Sequence, residues 1–213
     1  MKKLGNVFIL GDSYSTFEGA IEKECWLWYY KEPQNDTDVC KAEQTWWMQL
    51  LKHTDSNLVR NSSFSGTTIC HTGWDNADWS EKFSFCARIR NMVNEGYFKE
   101  NHIDTFIIFG GTNDSWCGSP LGEINYGEKT EEELFSFMPA YCYLIETVKA
   151  NCPNAKIVTI VNTDLKPEIV GCFKEVSAHF GTELIELHDI EKQSGHPNIK
   201  GMKQIFEQIL EAI

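Results

Sequence analysis

Residues 7–17 read VFILGDSYSTF, and the architecture of the chain follows from this stretch. Val7, Phe8, Ile9 and Leu10 are apolar without a break, the mark of a strand buried on both faces; a half-exposed strand alternates. Gly11 then lets the backbone turn sharply where the strand stops. Ser13 follows at the strand's carboxyl end, where a hydroxyl is a candidate nucleophile. Gly, Asp and Ser are also ordinary turn residues, so the tripeptide alone leaves both readings open.

Outward from this strand, apolar runs predict four more: residues 57–61, Thr105–Phe109, Lys156–Val161 and residues 183–187. Helical periodicity fills the intervals. Trp46, Trp47, Leu50 and Leu51 share one face of a helix over 42–53, and Phe85, Ile89 and Met92 one face of a helix over 81–95 that stops at Gly96. Thr130-Glu131-Glu132-Glu133 has the form of a capping box, and Leu134, Phe137, Tyr141, Ile145 and Val148 continue from it at helical spacing. Pro139 lies inside that pattern and predicts a kink or two short helices. A further helix runs from Pro167 to Gly181, and residues 199–213 close the chain with a stripe of Met202, Ile205, Phe206, Ile209 and Leu210. Residues 18–41, 62–78 and 115–129 read as loops, the first dense in aromatics. Strands alternating with helices predict a parallel sheet covered on both faces, within one domain over residues 1–213.

The 213 residues carry a formal net charge of −12. An acidic surface repels nucleic acid and anionic membranes, and neither is expected as a partner. Eight cysteines lie scattered with no C-x-x-C pair, which gives neither a zinc site nor a redox motif. Several fall in apolar stretches, as reduced thiols of a cytoplasmic protein do; their even number also allows disulfides in an exported one. The start, MKKLGNVFIL, is interrupted at Gly5 and Asn6 and serves better as the first strand than as a signal peptide.

In an open parallel sheet ligands bind beyond the carboxyl ends of the strands. Ser13 follows the first strand, Ser65-Gly66-Thr67 the second, Gly111-Thr112-Asn113 the third, and Ser194-Gly195-His196-Pro197 the fifth. A hydroxyl, a glycine backbone, a carboxamide and an imidazole on one rim are the parts acyl transfer needs.

In this order the segments resemble the SGNH (GDSL-type) hydrolase family, from Gly11 to Gly201. Gly11-Asp12-Ser13 matches its first block, Gly66 its second, Gly111-Thr112-Asn113-Asp114 its third and His196-Pro197 its last. The resemblance implies a flavodoxin-like three-layer α/β/α sandwich on a five-stranded parallel sheet, and ester hydrolysis without a metal or other cofactor. It implies Ser13 as nucleophile and His196 as general base. The N–H groups of Ser13 and Gly66 and the side-chain amide of Asn113 would form the oxyanion hole. Asp12 and Asp114 are expected to accept backbone hydrogen bonds in their turns. The sequence departs from the family where an aspartate usually stands three residues before the histidine: here it is Gln193. Asp189, Glu191 or a backbone carbonyl could take over its part.

Trp26, Trp28, Tyr29, Tyr30, Trp74, Trp79 and Trp116 come from loops on the same rim, as packing or as a cleft for sugars or acyl chains. The preferred substrate is a small acyl ester, acetyl on a carbohydrate. The alternatives are a lysophospholipase or thioesterase acting on longer chains, and a carbohydrate-binding protein with little chemistry.

Overall fold

The computed structural model describes residues 3–22 and 25–213. Five strands, β1 (Asn6–Gly11), β2 (Asn57–Ser63), β3 (Thr105–Phe109), β4 (Lys156–Val161) and β5 (Glu183–Glu186), form one parallel sheet in the order β2-β1-β3-β4-β5. This is the flavodoxin-like order, and it reverses direction between β1 and β3, where such sheets open a crevice. Gly11 pairs with Ser63 of β2 and Phe109 of β3, so the chain leaves all three strands at the same level.

Successive residues of a strand face opposite sides, and here both sides are apolar. Phe8, Leu10, Phe106 and Ile108 pack with Phe85 and Ile89 of α2 (Phe85–Asn94), Tyr141 and Ile145 of α5 (Phe137–Asn151), and Phe173 and Val176 of α6 (Pro167–Phe180). Val7, Ile9, Ile107 and Phe109 pack with Trp46, Trp47 and Leu50 of α1 (Trp46–Thr54) and Ile205 and Ile209 of α7 (Ile199–Ala212). The result is the three-layer sandwich that the alternation predicts. No helix among the described residues is long and apolar enough to cross a membrane.

Several boundaries differ from the sequence reading, each for a local reason. Residues 42–44 form a 3-10 turn, and α1 starts at Trp46 because the Thr45 hydroxyl accepts the Met48 N–H at 3.4 Å. Likewise α2 starts at Phe85, not at 81, because Ser84 Oγ accepts the Ala87 N–H at 3.0 Å. Gly96, at φ +75°, supplies its left-handed stop and leads into α3 (Tyr97–Glu100).

The capping box is real but caps something else. Thr130 N–H donates to Glu133 Oε2 at 2.7 Å and Glu133 N–H to Thr130 Oγ1 at 3.2 Å, closing a 3-10 turn at Glu133–Phe135. The α-helix begins afresh at Phe137. Pro139 therefore sits in the first turn of α5, where its missing N–H has no partner to lose, and the helix runs unbroken to Asn151. A short α4 (Thr112–Cys117) occupies ground where only a loop was expected, β2 runs on to Ser63, and β5 stops at Glu186. An unforeseen hairpin of β6 (Lys192–Gln193) and β7 (His196–Pro197) precedes α7.

Candidate active site

At the end of β1 the backbone passes close to its neighbours. A Cβ on Gly11 would lie 2.5 Å from Ser63 Oγ and 2.8 Å from Ser15 Oγ, so this position has room for glycine alone. Asp12 Oδ1 accepts the Tyr14 N–H at 3.1 Å and winds residues 13–15 into a 3-10 turn with Ser13 at its head. The Asp12 carboxyl is fully buried. Burial raises its pKa to about 7 against the pull of the Tyr14 N–H, and the charge of Asp114 adds to the rise.

The histidine arrives on the hairpin. Its two-residue turn, Ser194-Gly195, has φ of +49° and +76°, the left-handed pair that a tight β-hairpin requires. Two tyrosines hold it down: Tyr14 Oη donates to the Gly195 carbonyl at 2.6 Å and Tyr29 Oη to the Pro197 carbonyl at 2.8 Å. Gly201 lets α7 close on the hairpin, since a Cβ there would lie 2.0 Å from the Glu191 carbonyl oxygen.

His196 Nε2 lies 2.9 Å from Ser13 Oγ, and both side chains are buried. Its Nδ1 lies 3.1 Å from the Ser194 carbonyl oxygen. A carbonyl only accepts, so Nδ1 carries the proton and Nε2 turns its lone pair to the serine. The Trp28 ring lies parallel to the imidazole, centroids 3.5 Å apart and planes 10° apart, and Tyr14 and Trp116 flank it at 5.3 and 6.0 Å. Burial lowers the His196 pKa to about 4; the Ser194 carbonyl works against the fall and the charge of Lys192 adds to it. The imidazole is neutral at rest.

Asn113 stands on α4, which starts after Gly111 at φ +84°. Its Nδ2 donates to the Thr67 carbonyl at 3.0 Å and so ties α4 to the residue after Gly66. The Asp114 carboxylate accepts the Ile69 N–H at 2.9 Å and the Cys70 N–H at 3.2 Å, further along the same loop. Gly66 has φ +79°, and Trp74 Nε1–H donates to its carbonyl at 3.0 Å. Beneath lies the buried guanidinium of Arg88, bonded to the Gly11 carbonyl (3.1 Å), Thr67 Oγ1 (3.2 Å) and the Ser62 carbonyl. Ser13 and His196 thus meet directly, and Gly66 and Asn113 are linked through Thr67.

The model of the GDSL-like lipase/acylhydrolase family matches residues 5–213. The chain belongs to this family. It is 44% identical to a crystal structure from Bacteroides ovatus ATCC 8483 described as GDSL-like lipase, with a TM-score of 0.90 over 99% of this chain and 98% of that one. A second, from Bacteroides uniformis ATCC 8492 and described in the same words, is 42% identical, with a TM-score of 0.90 over 98% and 95% of the two chains. A family two carbohydrate esterase from Clostridium thermocellum, solved with cellohexaose, shares the fold at 16% identity, with a TM-score of 0.63 over 99% of this chain and 64% of that one. No curated protein matches the chain.

Within this GDSL-like fold the question raised by Gln193 has a structural answer. Asp189 pairs with His188 at 3.2 Å, and Glu191 accepts from Lys200 and Asn198, so neither carboxylate turns to His196. Gln193 itself donates to Asp36. The partner of Nδ1 is the Ser194 carbonyl. Three features at the site were not singled out from the sequence: the stacking of Trp28, the Tyr14 bond to Gly195, and Asp36. Trp28 stood among the flagged aromatics, but no spacing rule says which ring covers the imidazole.

Proposed function

We propose that this GDSL-like hydrolase is a serine esterase that removes a small acyl group, acetyl above all, from a carbohydrate. The observation that carries the reading is the Ser13 Oγ to His196 Nε2 contact of 2.9 Å, with Nδ1 held by the Ser194 carbonyl. Ser13 Oγ attacks the ester carbonyl while its proton passes to His196 Nε2. The bond from acyl carbon to alkoxy oxygen then breaks, and the same proton goes to the departing alcohol. Water, deprotonated by the now neutral imidazole, repeats the sequence on the acyl-enzyme and frees the acid.

The oxyanion would be held by the N–H groups of Ser13 and Gly66 and by Asn113. The carboxamide of Asn113 has two N–H bonds, and the Thr67 carbonyl takes only one. By analogy with other oxyanion donors, Asn113→Ala should cost about 3 kcal/mol in the barrier, or roughly two orders of magnitude in kcat.

The rim supports a sugar as the group esterified. Trp26, Trp74 and Trp116 expose 50%, 41% and 41% of their surface, unusual for tryptophan. Each is tied to a residue at or beside the site: the Trp26 carbonyl to Ser65 N–H (2.8 Å), Trp74 Nε1–H to the Gly66 carbonyl, and Trp116 against Gly195. Flat apolar faces fixed around a hydrolytic centre suit the C–H faces of a pyranose. The shared fold with an esterase solved with cellohexaose points the same way.

A chain-length series of p-nitrophenyl esters and acetate release from acetylated oligosaccharides test this. The expected result is a maximum at acetate. A maximum beyond octanoate transfers the assignment to long-chain lipid or thioester substrates. Binding of the oligosaccharide with no acetate released makes the protein a carbohydrate-binding member of the fold.

A further inference from the structure

Residues 35–38, in the polar tail of the long loop after β1, clamp the histidine hairpin from outside. Asp36 Oδ1 accepts from Gln193 Nε2 and Oδ2 from Ser194 Oγ, both at 2.6 Å. On one side Asn35 Nδ2 donates to the carbonyl of Trp28, whose ring lies on the imidazole, at 2.7 Å. On the other, Asp38 Oδ1 accepts the Ile199 N–H at the start of α7 at 2.8 Å. The two residues that Asp36 grips are those immediately before Gly195-His196, and one of them supplies the carbonyl that orients Nδ1.

Ser194 is also the residue that needs holding. At φ +49° it sits in a left-handed conformation that a residue with a Cβ adopts at a cost, and relaxing it would rotate its carbonyl away from Nδ1. A charge-assisted bond to its own hydroxyl opposes that rotation. The neighbouring bond from Asp36 fixes Gln193, which faces His196 across the hairpin.

We infer that Asp36 is a positioning residue for His196: its carboxylate, acting through Gln193 and Ser194, takes the orienting part left open by the missing aspartate at position 193. This rests on the Ser13–His196 reading of the site. Asp36 is exposed, and its charge is screened by water, so its contribution is to geometry more than to the basicity of the imidazole. The carboxylate absent next to the histidine has a counterpart on a different loop, which bonds Gln193 and Ser194.

The test combines kinetics with p-nitrophenyl acetate and the NMR signal of the His196 Nδ1 proton. Asp36→Ala should lower kcat about ten-fold with KM little changed, and broaden the Nδ1 proton through faster exchange. Ser194→Ala, which removes the hydroxyl that Asp36 Oδ2 holds and leaves the backbone carbonyl in place, should do the same. Asp36→Asn keeps an acceptor for Ser194 Oγ and turns a donor to the Gln193 amide, whose oxygen accepts it, and should hold kcat within about three-fold of wild type. An Asp36→Ala protein that keeps both kcat and the proton signal overturns the inference. So does a Ser194→Ala protein that keeps both, which decides the matter even if Asp36→Ala fails to fold. If the wild type cleaves no ester while the Nδ1 signal still responds to Asp36→Ala, the positioning role stands and the esterase reading falls.

Discussion

On the proposed mechanism Trp28 would do for His196 what a carboxylate does elsewhere, by different physics. Were Nε2 to take the serine proton, the imidazolium would form against the face of an indole at 3.5 Å, whose negative face stabilises a cation. Trp28→Leu should therefore lower kcat/KM by about 1–2 kcal/mol, roughly 5- to 30-fold, whereas Trp28→Phe keeps most of it; steady-state kinetics on p-nitrophenyl acetate measures both. The acid limb reports the same environment. Because burial holds His196 near pKa 4, the base stays neutral and competent well below the ordinary histidine value of about 6.5. The profile of kcat/KM against pH should stay level down to about pH 5 and fall ten-fold per unit below about pH 4. At this scale the motifs at strand ends singled out Ser13, Gly66, Asn113 and His196, and the structure brings Ser13 to His196 and ties Asn113 to the residue after Gly66. It did not show what supports them. A carbonyl bond from Ser194 leaves no trace in composition, and Asp36 lies 158 positions away from Ser194.

At the scale of elements, the loops that build the site are held from below by one side chain. Arg88 on α2 bonds the carbonyls of Gly11, Ser62 and Phe83 and the hydroxyl of Thr67, and stacks on Phe64 and Phe85. Replacing it leaves buried carbonyls without donors. Arg88→Met should lower the unfolding free energy by about 3 kcal/mol, read as a reduced urea midpoint with little change in slope. Helices α3 and α4 and the hairpin were elements that pattern reading could not find. Thr112–Cys117 is too short and too polar to show helical periodicity; it forms because Gly111 turns the chain and Asp114 and Asn113 bond the loop opposite. A hairpin with two-residue strands has no alternation to read. The capping box was correctly seen, but the kink expected at Pro139 does not occur, because a 3-10 turn intervenes and moves the helix start to Phe137.

For the molecule as a whole, two buried carboxyls and two buried imidazoles contribute to the pH dependence of stability. Burial raises Asp12 to about 7 and Asp114 to about 6, and lowers His196 and His71 to about 4. A raised carboxyl stabilises the fold below its unfolded value near 3.8, and that stabilisation is lost as pH climbs through its folded value. A lowered imidazole acts in the opposite sense: its stabilisation is complete above about 6.5 and is lost as pH falls through about 4. The contributions oppose each other between pH 4 and 6.5, and above that, of these four groups, only Asp12 still titrates. Asp12→Asn should thus gain stability relative to wild type as pH rises from about 4 to 7, with the difference level beyond, in denaturant titrations at each pH. A parallel sheet covered on both faces was within reach of the sequence, because β1, β3 and β4 are apolar on both faces, whereas the strand order was implied only by the family resemblance. The crevice at the β1/β3 reversal follows from that order, and the site lies in it.

The central claim is that the serine at the end of β1 is a nucleophile activated by the histidine of the hairpin. Reaction of the folded protein with a fluorophosphonate, followed by mass spectrometry of its peptides, tests it most directly. One adduct on Ser13, abolished by Ser13→Ala and slowed at least a hundred-fold by His196→Ala, is the predicted result. A folded wild type that takes up no label, or takes it up at a serine other than Ser13, contradicts the account.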